Sequence, residues 1–494
     1  MKRSIELVLV LTAVVLFGLA TSMPAQESLL GAPVRAAATA QPDPPHYPSA
    51  VSTLFIPKSS QPQTPATGHK FAANTNVEVV APAGVKPGEL PPYPGYGYET
   101  PASIGCVYGF VPNYTTAGYN CNPYKENYSI TGGGKTIAIV DAYDDPSAPG
   151  DLAWFSLQFG LPLKLTQFNV VWANSSNSSC FFSGVPIDYT GGWEIEESLD
   201  IEWAHAMAPS ANIYLVEACS NEDTDLQQAV MVASNVVSCN GNTGINLTTG
   251  ELTYPACTPS ATGAGEVSMS WGGGEFADES IANSGDTTCA EADDSCFTTP
   301  NIVYFASSGD SPGVIWPGTS PNVVSAGGLT NHRDSSTLNY TFQSAWVFGG
   351  GGQSAVELQP SYQSATTYAS KVQAICGTTY RCVPDLSFDA DPWTGVYVYD
   401  TFPIDGFAYY EWLIVGGTSV SAPALAGVIN NAASRSGVWA ASSNAELTTL
   451  YDDITTTNVY NITYGFCGYY MGFVALDYWN LCTGVGAPRG YTGK

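Results

Sequence analysis

Gly416-Gly417-Thr418-Ser419-Val420-Ser421-Ala422-Pro423 is a glycine turn that opens a helix of small residues. Ser419 falls at the helix start, where unpaired amides and the positive end of the helix dipole favour the oxyanion of acyl transfer. Pro423 is compatible with that position because first-turn amides lack helical partners anyway. Without its neighbours, Thr418-Ser419 reads as an N-cap. The glycines before it and the proline after it point to a nucleophile.

A serine nucleophile needs a base, and the chain has only four histidines: His46, His69, His205 and His332. The first two lie in an N-terminal stretch expected to be a pro-segment. His332 stands in the polar run Thr330-Asn331-His332-Arg333-Asp334 and is expected to face water. His205 is expected to be a packed helical residue, so a Ser-His-Asp triad has little support. Carboxylates are better placed. Along Trp193 to Met207 the apolar stripe Ile195, Leu199, Trp203, Met207 faces a core, and Glu196 and Asp200, four apart, lie together beside it. Two carboxylates held against an apolar face share a proton, and their pKa values are driven apart. One can take the serine proton while the other orients it. The competing reading is a solvated acidic face shared with Glu194, Glu197 and Glu202. A third carboxylate, Asp310 in Ser308-Gly309-Asp310-Ser311, follows an apolar strand pattern. Aimed at a reacting carbonyl, it donates a hydrogen bond only while protonated, which implies work in acid.

The elements that must carry these residues alternate. β-Branched runs at 137–140, 212–216, 267–270, 302–305 and 323–326 read as buried strands, with helices near 150–159, 194–207 and 225–234. Such alternation implies right-handed crossovers onto a mainly parallel sheet with sites at the strand carboxyl ends.

The three segments, which follow one another along the chain as Glu196 with Asp200, then Asp310, then Ser419, resemble the sedolisin or serine-carboxyl peptidase family, relatives of subtilisin, in order and spacing. The resemblance runs from about Tyr98 to Gly490. The family's Gly-Thr-Ser-x-x-x-Pro matches Gly417 to Pro423, its Glu-x-x-x-Asp matches Glu196 and Asp200, and its Gly-Asp-Ser matches Gly309 to Ser311. Ser268 to Gly272 is similar to the segment lining the substrate cleft, which implies that Ser270, Trp271 and Gly272 bind substrate. Trp346 to Ser354 is similar to a glycine-rich stretch, with Gly350 and Gly351 implied in binding. Arg381 to Asp391 matches a Pro-Asp segment, and Asp141 ends the strand where subtilisins keep their catalytic Asp, implying a supporting role. The resemblance implies an α/β, subtilisin-like three-layer sandwich with a mainly parallel central sheet flanked by helices. Two features depart from it. The family's pro-domain is longer than residues 26–97. Its calcium site takes an Asp and the next carbonyl, here Asp453 and Ile454, then two glycine carbonyls and a second Asp, where this chain has Leu476, Tyr478 and Asn480. Losing a carboxylate weakens or abolishes binding of a hard cation, so calcium is doubtful and no cofactor is expected to be required.

Composition agrees with acid. Fifteen Lys and Arg against 43 Asp and Glu give a formal charge of −28 over 494 residues, which excludes a nucleic-acid surface as the main function. With few cations, protonation of the carboxylates builds up little positive self-repulsion. Residues 1–25 read as a signal peptide, with Lys2 and Arg3 ahead of the apolar run Leu7 to Leu19, and residues 26–97 as a short pro-segment or disordered linker before a peptidase domain over 98–494. Left uncut, that apolar run would be an anchor. Twelve cysteines fit an oxidising compartment. Among the connectivities they allow, sequence proximity suggests Cys106 with Cys121, Cys239 with Cys257, Cys289 with Cys296, Cys376 with Cys382 and Cys467 with Cys482, leaving Cys180 with Cys219. The expectation is a secreted, monomeric acid endopeptidase acting on polypeptides, with no membrane contact after signal cleavage. Its rivals are an inactive peptide- or cell-wall-binding relative and, more distantly, a glycosidase using Glu196.

Overall fold

A computed structural model describes residues 52–494 apart from 112–119, 165, 174–179, 181–182, 240–243, 246–251, 254–263, 282–288, 290–293, 408–410 and 469–471. The signal-peptide expectation and the start of the expected pro-segment lie outside the described residues, as does Cys257. In chain order the elements that matter are β1 (Thr53–Phe55), β2 (Asn74–Thr75), β3 (Glu78–Ala81), β4 (Thr136–Ala142), α1 (Ala148–Phe159), β5 (Phe168–Trp172) and α2 (Gly192–Met207). There follow β6 (Asn212–Ala218), α3 (Asp223–Ser238), β7 (Gly265–Met269), β8 (Trp271–Gly272), β9 (Ile302–Ser307), β10 (Val323–Arg333) and β11 (Tyr340–Ala345). The last are β12 (Leu386–Asp389), β13 (Val396–Tyr399), β14 (Trp412–Gly416) and α4 (Thr418–Ser436).

The main sheet runs β11-β10-β9-β7-β4-β6-β5, with β12 also pairing β10. Every pairing is parallel except β10 with β11. Side chains alternate across it. Ile137 and Ile139 of β4 join the cluster containing α2 and α4, whereas Ala138 and Val140 join the opposite one with α3. This is the expected three-layer α/β sandwich. No described helix is long and apolar enough to cross a membrane. Among the described residues the expected disulfides Cys106–Cys121, Cys180–Cys219, Cys289–Cys296, Cys376–Cys382 and Cys467–Cys482 are present, and the expected partner of Cys239 lies outside the described residues.

Residues 52–97 are not a disordered linker. β3 lies between β1 and β14 in a second, antiparallel sheet, with Val79 opposite Val415, and β2 pairs with β8. Val77, Val79, Val80, Tyr93 and Tyr96 belong to the core, and the described residues from 52 onward fall in one compact unit. The expected boundary at residue 98 therefore falls inside a packed body. A Pro- and Ala-rich stretch becomes ordered here because its short strands borrow hydrogen-bond partners far along the chain, Thr75 of β2 from Trp271 and Val79 of β3 from Val415.

Helices α2 and α4 cross closely. A Cβ at Gly427 of α4 would stand 2.7 Å from the Met207 Cβ and 2.8 Å from the Ala204 carbonyl oxygen of α2, so only glycine permits this approach. That contact brings the carboxylates of one helix to the serine of the other.

Candidate active site

Ser419 begins α4 directly after β14, and the turn between them depends on Gly417. Its φ is +104°, and an added Cβ would run into the Asn76 carbonyl oxygen and into Asp310 Oδ2. Ser419 is fully buried, as are Glu196 and Asp200. Its hydroxyl donates to Glu196 Oε2 at 2.9 Å and lies 3.1 Å from the Ser270 carbonyl oxygen. The Ser270 hydroxyl in turn donates to Asp200 Oδ1 at 2.8 Å. Glu196 Oε1 and Asp200 Oδ2 have no donor between them while both groups are ionised. A single shared proton satisfies both. Burial pushes Glu196 and Asp200 well above the ordinary carboxylate range, and the nearby Asp141 carboxyl pushes them further. Asp141 itself, fully buried at the end of β4, is raised to about 8 by burial.

Asp310 approaches from the loop after β9. Its Oδ1 accepts the Thr418 amide and the Thr418 hydroxyl, each at 2.7 Å, while Oδ2 has no partner among the described residues. Burial, and then the Glu78 carboxyl of β3, raise Asp310 well above its usual value, which keeps it protonated as an oxyanion donor must be. Glu78, missed from the sequence, is raised to about 7 by burial and by Asp391.

The expected substrate-binding residues divide. Trp271 and Gly272 offer their backbone edge to Thr75 and Asn74, and the indole of Trp271 is anchored on the Val140 carbonyl oxygen at 2.7 Å. Gly350 and Gly351 instead brace the Asp310 loop: their amides donate to the carbonyl oxygens of Gly309 and Gly313 at 2.7 and 2.8 Å.

No face of α2 is solvated. Glu194, Glu197 and Glu202 are all buried, which overturns the solvated-face reading. Glu202 accepts the Tyr399 amide at 3.0 Å, and burial, followed by the Glu217, Asp145 and Asp141 carboxyls, raises Glu197 well above the ordinary range. His205 is buried, its ring nitrogens have no partner among the described residues, and burial lowers it to about 4. His332 does not face water in a loop. It lies on β10, stacks on Phe342 at 4.2 Å and meets the Ser344 hydroxyl at 2.8 Å.

The calcium-site residues do not fit the ion. Asn480 Oδ1 already accepts the amides of Cys482 and Thr483, and its Nδ2 donates to the Leu476 carbonyl oxygen at 3.1 Å, placing a donor where a cation would need that oxygen free. Asp453 takes both Asn458 Nδ2 contacts, and the Lys494 ammonium lies close enough to be attracted by Asp453 and Glu446. Ile454 is a core residue, and Tyr478 sits under the Lys371 ammonium at 4.5 Å. We expect a calcium chelator to leave the thermal midpoint within about 2 °C of the untreated protein, whereas a fall of about 10 °C would restore a bound ion.

No protein-family model matches the chain. A curated relative, sedolisin of Pseudomonas sp. (strain 101), is 26% identical over 399 residues, or 76% of this chain. The chain is a sedolisin homologue. It spans 60% of that relative's length. Among solved structures, Pseudomonas sedolisin, a serine-carboxyl proteinase complexed with two molecules of pseudo-iodotyrostatin, superposes with a TM-score of 0.56 at 23% identity, over 79% of this chain and 95% of that one. The likeness to the sedolisin structure shows the subtilisin-like fold.

Proposed function

We propose that the chain is a secreted, monomeric serine-carboxyl endopeptidase that hydrolyses polypeptides in acid and requires no metal. The observation that carries this reading is the 2.9 Å hydrogen bond from Ser419 Oγ to Glu196 Oε2. Ser419 attacks the peptide carbonyl as its proton passes to Glu196. Asp200 holds Glu196 by the shared proton and is itself held by Ser270. The Ser419 amide and protonated Asp310 receive the oxyanion, and Glu196 then returns its proton to the leaving nitrogen. Asp141 and its buried neighbours set the charge of the pair. The disulfides among the described residues are compatible with secretion.

The pH profile follows from two demands. The Glu196–Asp200 pair must carry one negative charge, and Asp310 must remain protonated. A free glutamate titrates near pH 4.3, so a bell with its maximum in acid, roughly between pH 3 and 5, is expected, and the upward push of burial favours the upper end. Asp310→Asn, whose amide donates at every pH, should keep partial activity and move the alkaline limb upward. Hydrolysis of denatured casein across pH checks both, with a serine-trapping peptide aldehyde abolishing the signal. A maximum near pH 8, or an alkaline limb unmoved in Asp310→Asn, would overturn the carboxylate mechanism.

A further inference from the structure

The walls leading away from Ser419 grip a longer stretch of chain than the reacting residue needs. The Ser419 amide donates to the Asn76 carbonyl oxygen at 3.1 Å, and the peptidase reading puts the carbonyl under attack at that place. Counting back along the chain, Asn74-Thr75 lies antiparallel on Trp271-Gly272 of β8, and Ala72 lies antiparallel on Glu222, just before α3. This second edge holds backbone alone. The Ala73 amide donates to the Asn221 carbonyl oxygen at 2.8 Å, and Asn221 Nδ2 donates to the Ala73 carbonyl oxygen at 2.7 Å. The Tyr143 hydroxyl, donating to Asn221 Oδ1 at 3.1 Å, fixes which way that amide faces.

At the far end of these edges is a slot shaped for a flat ring, filled by Phe71. Phe276 stacks on the Phe71 ring at 5.8 Å between centroids, and the Trp316 indole meets it edge to face at 5.3 Å. The floor is the bare backbone of Gly273, where an added Cβ would stand 2.7 Å from the ring. The walls are held by residues other than Phe71. Gly273 and Trp316 exchange two backbone hydrogen bonds of 2.9 and 3.0 Å, and the indole of Trp316 donates to Asp294 Oδ1 at 3.3 Å and packs on Phe297 at 5.5 Å. Phe276 leans on Trp316 at 5.5 Å, and its amide donates to Glu279 Oε2 at 2.8 Å. The slot is therefore preformed. An aromatic side chain buries about 150–250 Å² and gains further from stacked and edge-to-face geometry, which an aliphatic side chain of similar size does not.

We propose that Gly273, Phe276 and Trp316 form a substrate subsite that selects an aromatic side chain five residues ahead of the residue whose carbonyl is attacked; the proposal rests on the reading of Ser419 as nucleophile. A polypeptide lying along the path of residues 71–76 pairs its backbone with the 221–223 and 271–272 edges and sets its aromatic ring in the slot. Binding energy gained there, away from the reacting carbonyl, holds the scissile bond at Ser419. The substrate class is unfolded polypeptide, because six consecutive residues must lie extended with an aromatic side chain free to enter the slot.

The test uses the full chain, brought to a constant rate of casein hydrolysis at about pH 4, and internally quenched peptides alike except five positions before the cut, where they carry Phe, Leu, Ala or Asp. Product masses show where each cut falls. The wild type is expected to cleave the Phe peptide with a kcat/KM about 30-fold or more above the Ala peptide and about 5-fold above the Leu peptide. In Phe276→Ala, and in Gly273→Ala, whose methyl would stand where the ring lies, the Phe-to-Ala ratio should fall below about 5. A variant that only loosens the fold lowers all four peptides together, so a ratio unchanged in both variants overturns the proposal. A wild type that cuts the four peptides equally, takes Leu as well as Phe, or cuts the Phe peptide at another bond also overturns it, and with casein digested leaves the peptidase reading standing. A wild type that hydrolyses neither peptides nor casein overturns both.

Discussion

Ser419→Ala is expected to lower kcat for peptide hydrolysis by on the order of a million-fold while the protein still melts within a few degrees of wild type. Its hydroxyl makes three contacts, to Glu196, Ser270 and the Asn76 amide, and losing them costs roughly 1–2 kcal/mol. The start of α4 is tied independently by Thr418 to Asp310. Glu196→Gln should fall by about 10³- to 10⁴-fold, because an amide accepts no proton. Asp200→Asn should lose less, since an amide oxygen still accepts the Ser270 hydroxyl. Turnover on a fluorogenic peptide together with a thermal scan separates the cases. Near-normal turnover in Ser419→Ala removes the mechanism, and a collapsed melting transition would make Ser419 a structural residue instead.

The residues proposed as nucleophile and carboxylate partners stood out in the sequence because each sits on a local pattern that such chemistry constrains: a glycine turn before a helix, a four-residue spacing on one helix, a Gly-Asp after a strand. Their convergence was not legible. It depends on Gly427 letting α4 approach α2, a contact between residues more than 200 positions apart. The parallel sheet was legible for a related reason, since buried strands such as 137–140 are continuous apolar runs.

Residues 52–97 were misread because β1, β2 and β3 are two to four residues long, too short for a periodic signal. The one local hint was Val77-Glu78-Val79-Val80, which places Glu78 beside Asp310 and Val79 opposite Val415. His332 was misread from its polar neighbours. Arg333 and Asn331 turn out to be bonded inward, to Glu99 and to Gln343. The acidic helix α2 was the hardest case. Its charges argued for solvent, yet it is enclosed, and a carboxyl that keeps its proton can be buried where a carboxylate cannot.

That burial sets the dependence of stability on pH. Asp145 is raised to about 6, Glu446 to about 7, Asp141 to about 8, and Glu194, Glu279 and Glu357 to about 9, with burial the first cause in each. In the unfolded chain these groups titrate near pH 4. A carboxyl raised on folding binds its proton more tightly in the native state, so its contribution is complete below about pH 4 and is lost as the pH rises through the folded value. Each such group is worth several kcal/mol over that span, and six together rival the 5–15 kcal/mol by which a folded domain is typically stable. Asp334, exposed and pulled down to about 2 by hydrogen bonds from Ser336 and Thr337, acts in the opposite sense, but only as the pH falls below about 4. The thermal midpoint should therefore be highest near pH 4 and fall by on the order of 10 °C or more by pH 8, with the loss concentrated between about pH 5 and 9. Differential scanning calorimetry across that range at constant ionic strength makes the measurement. A midpoint that is flat or rises toward pH 8 would mean that these carboxyls reach water or a cation in solution. In that case the buried acidic network around α2 would not be what fits this chain to acid.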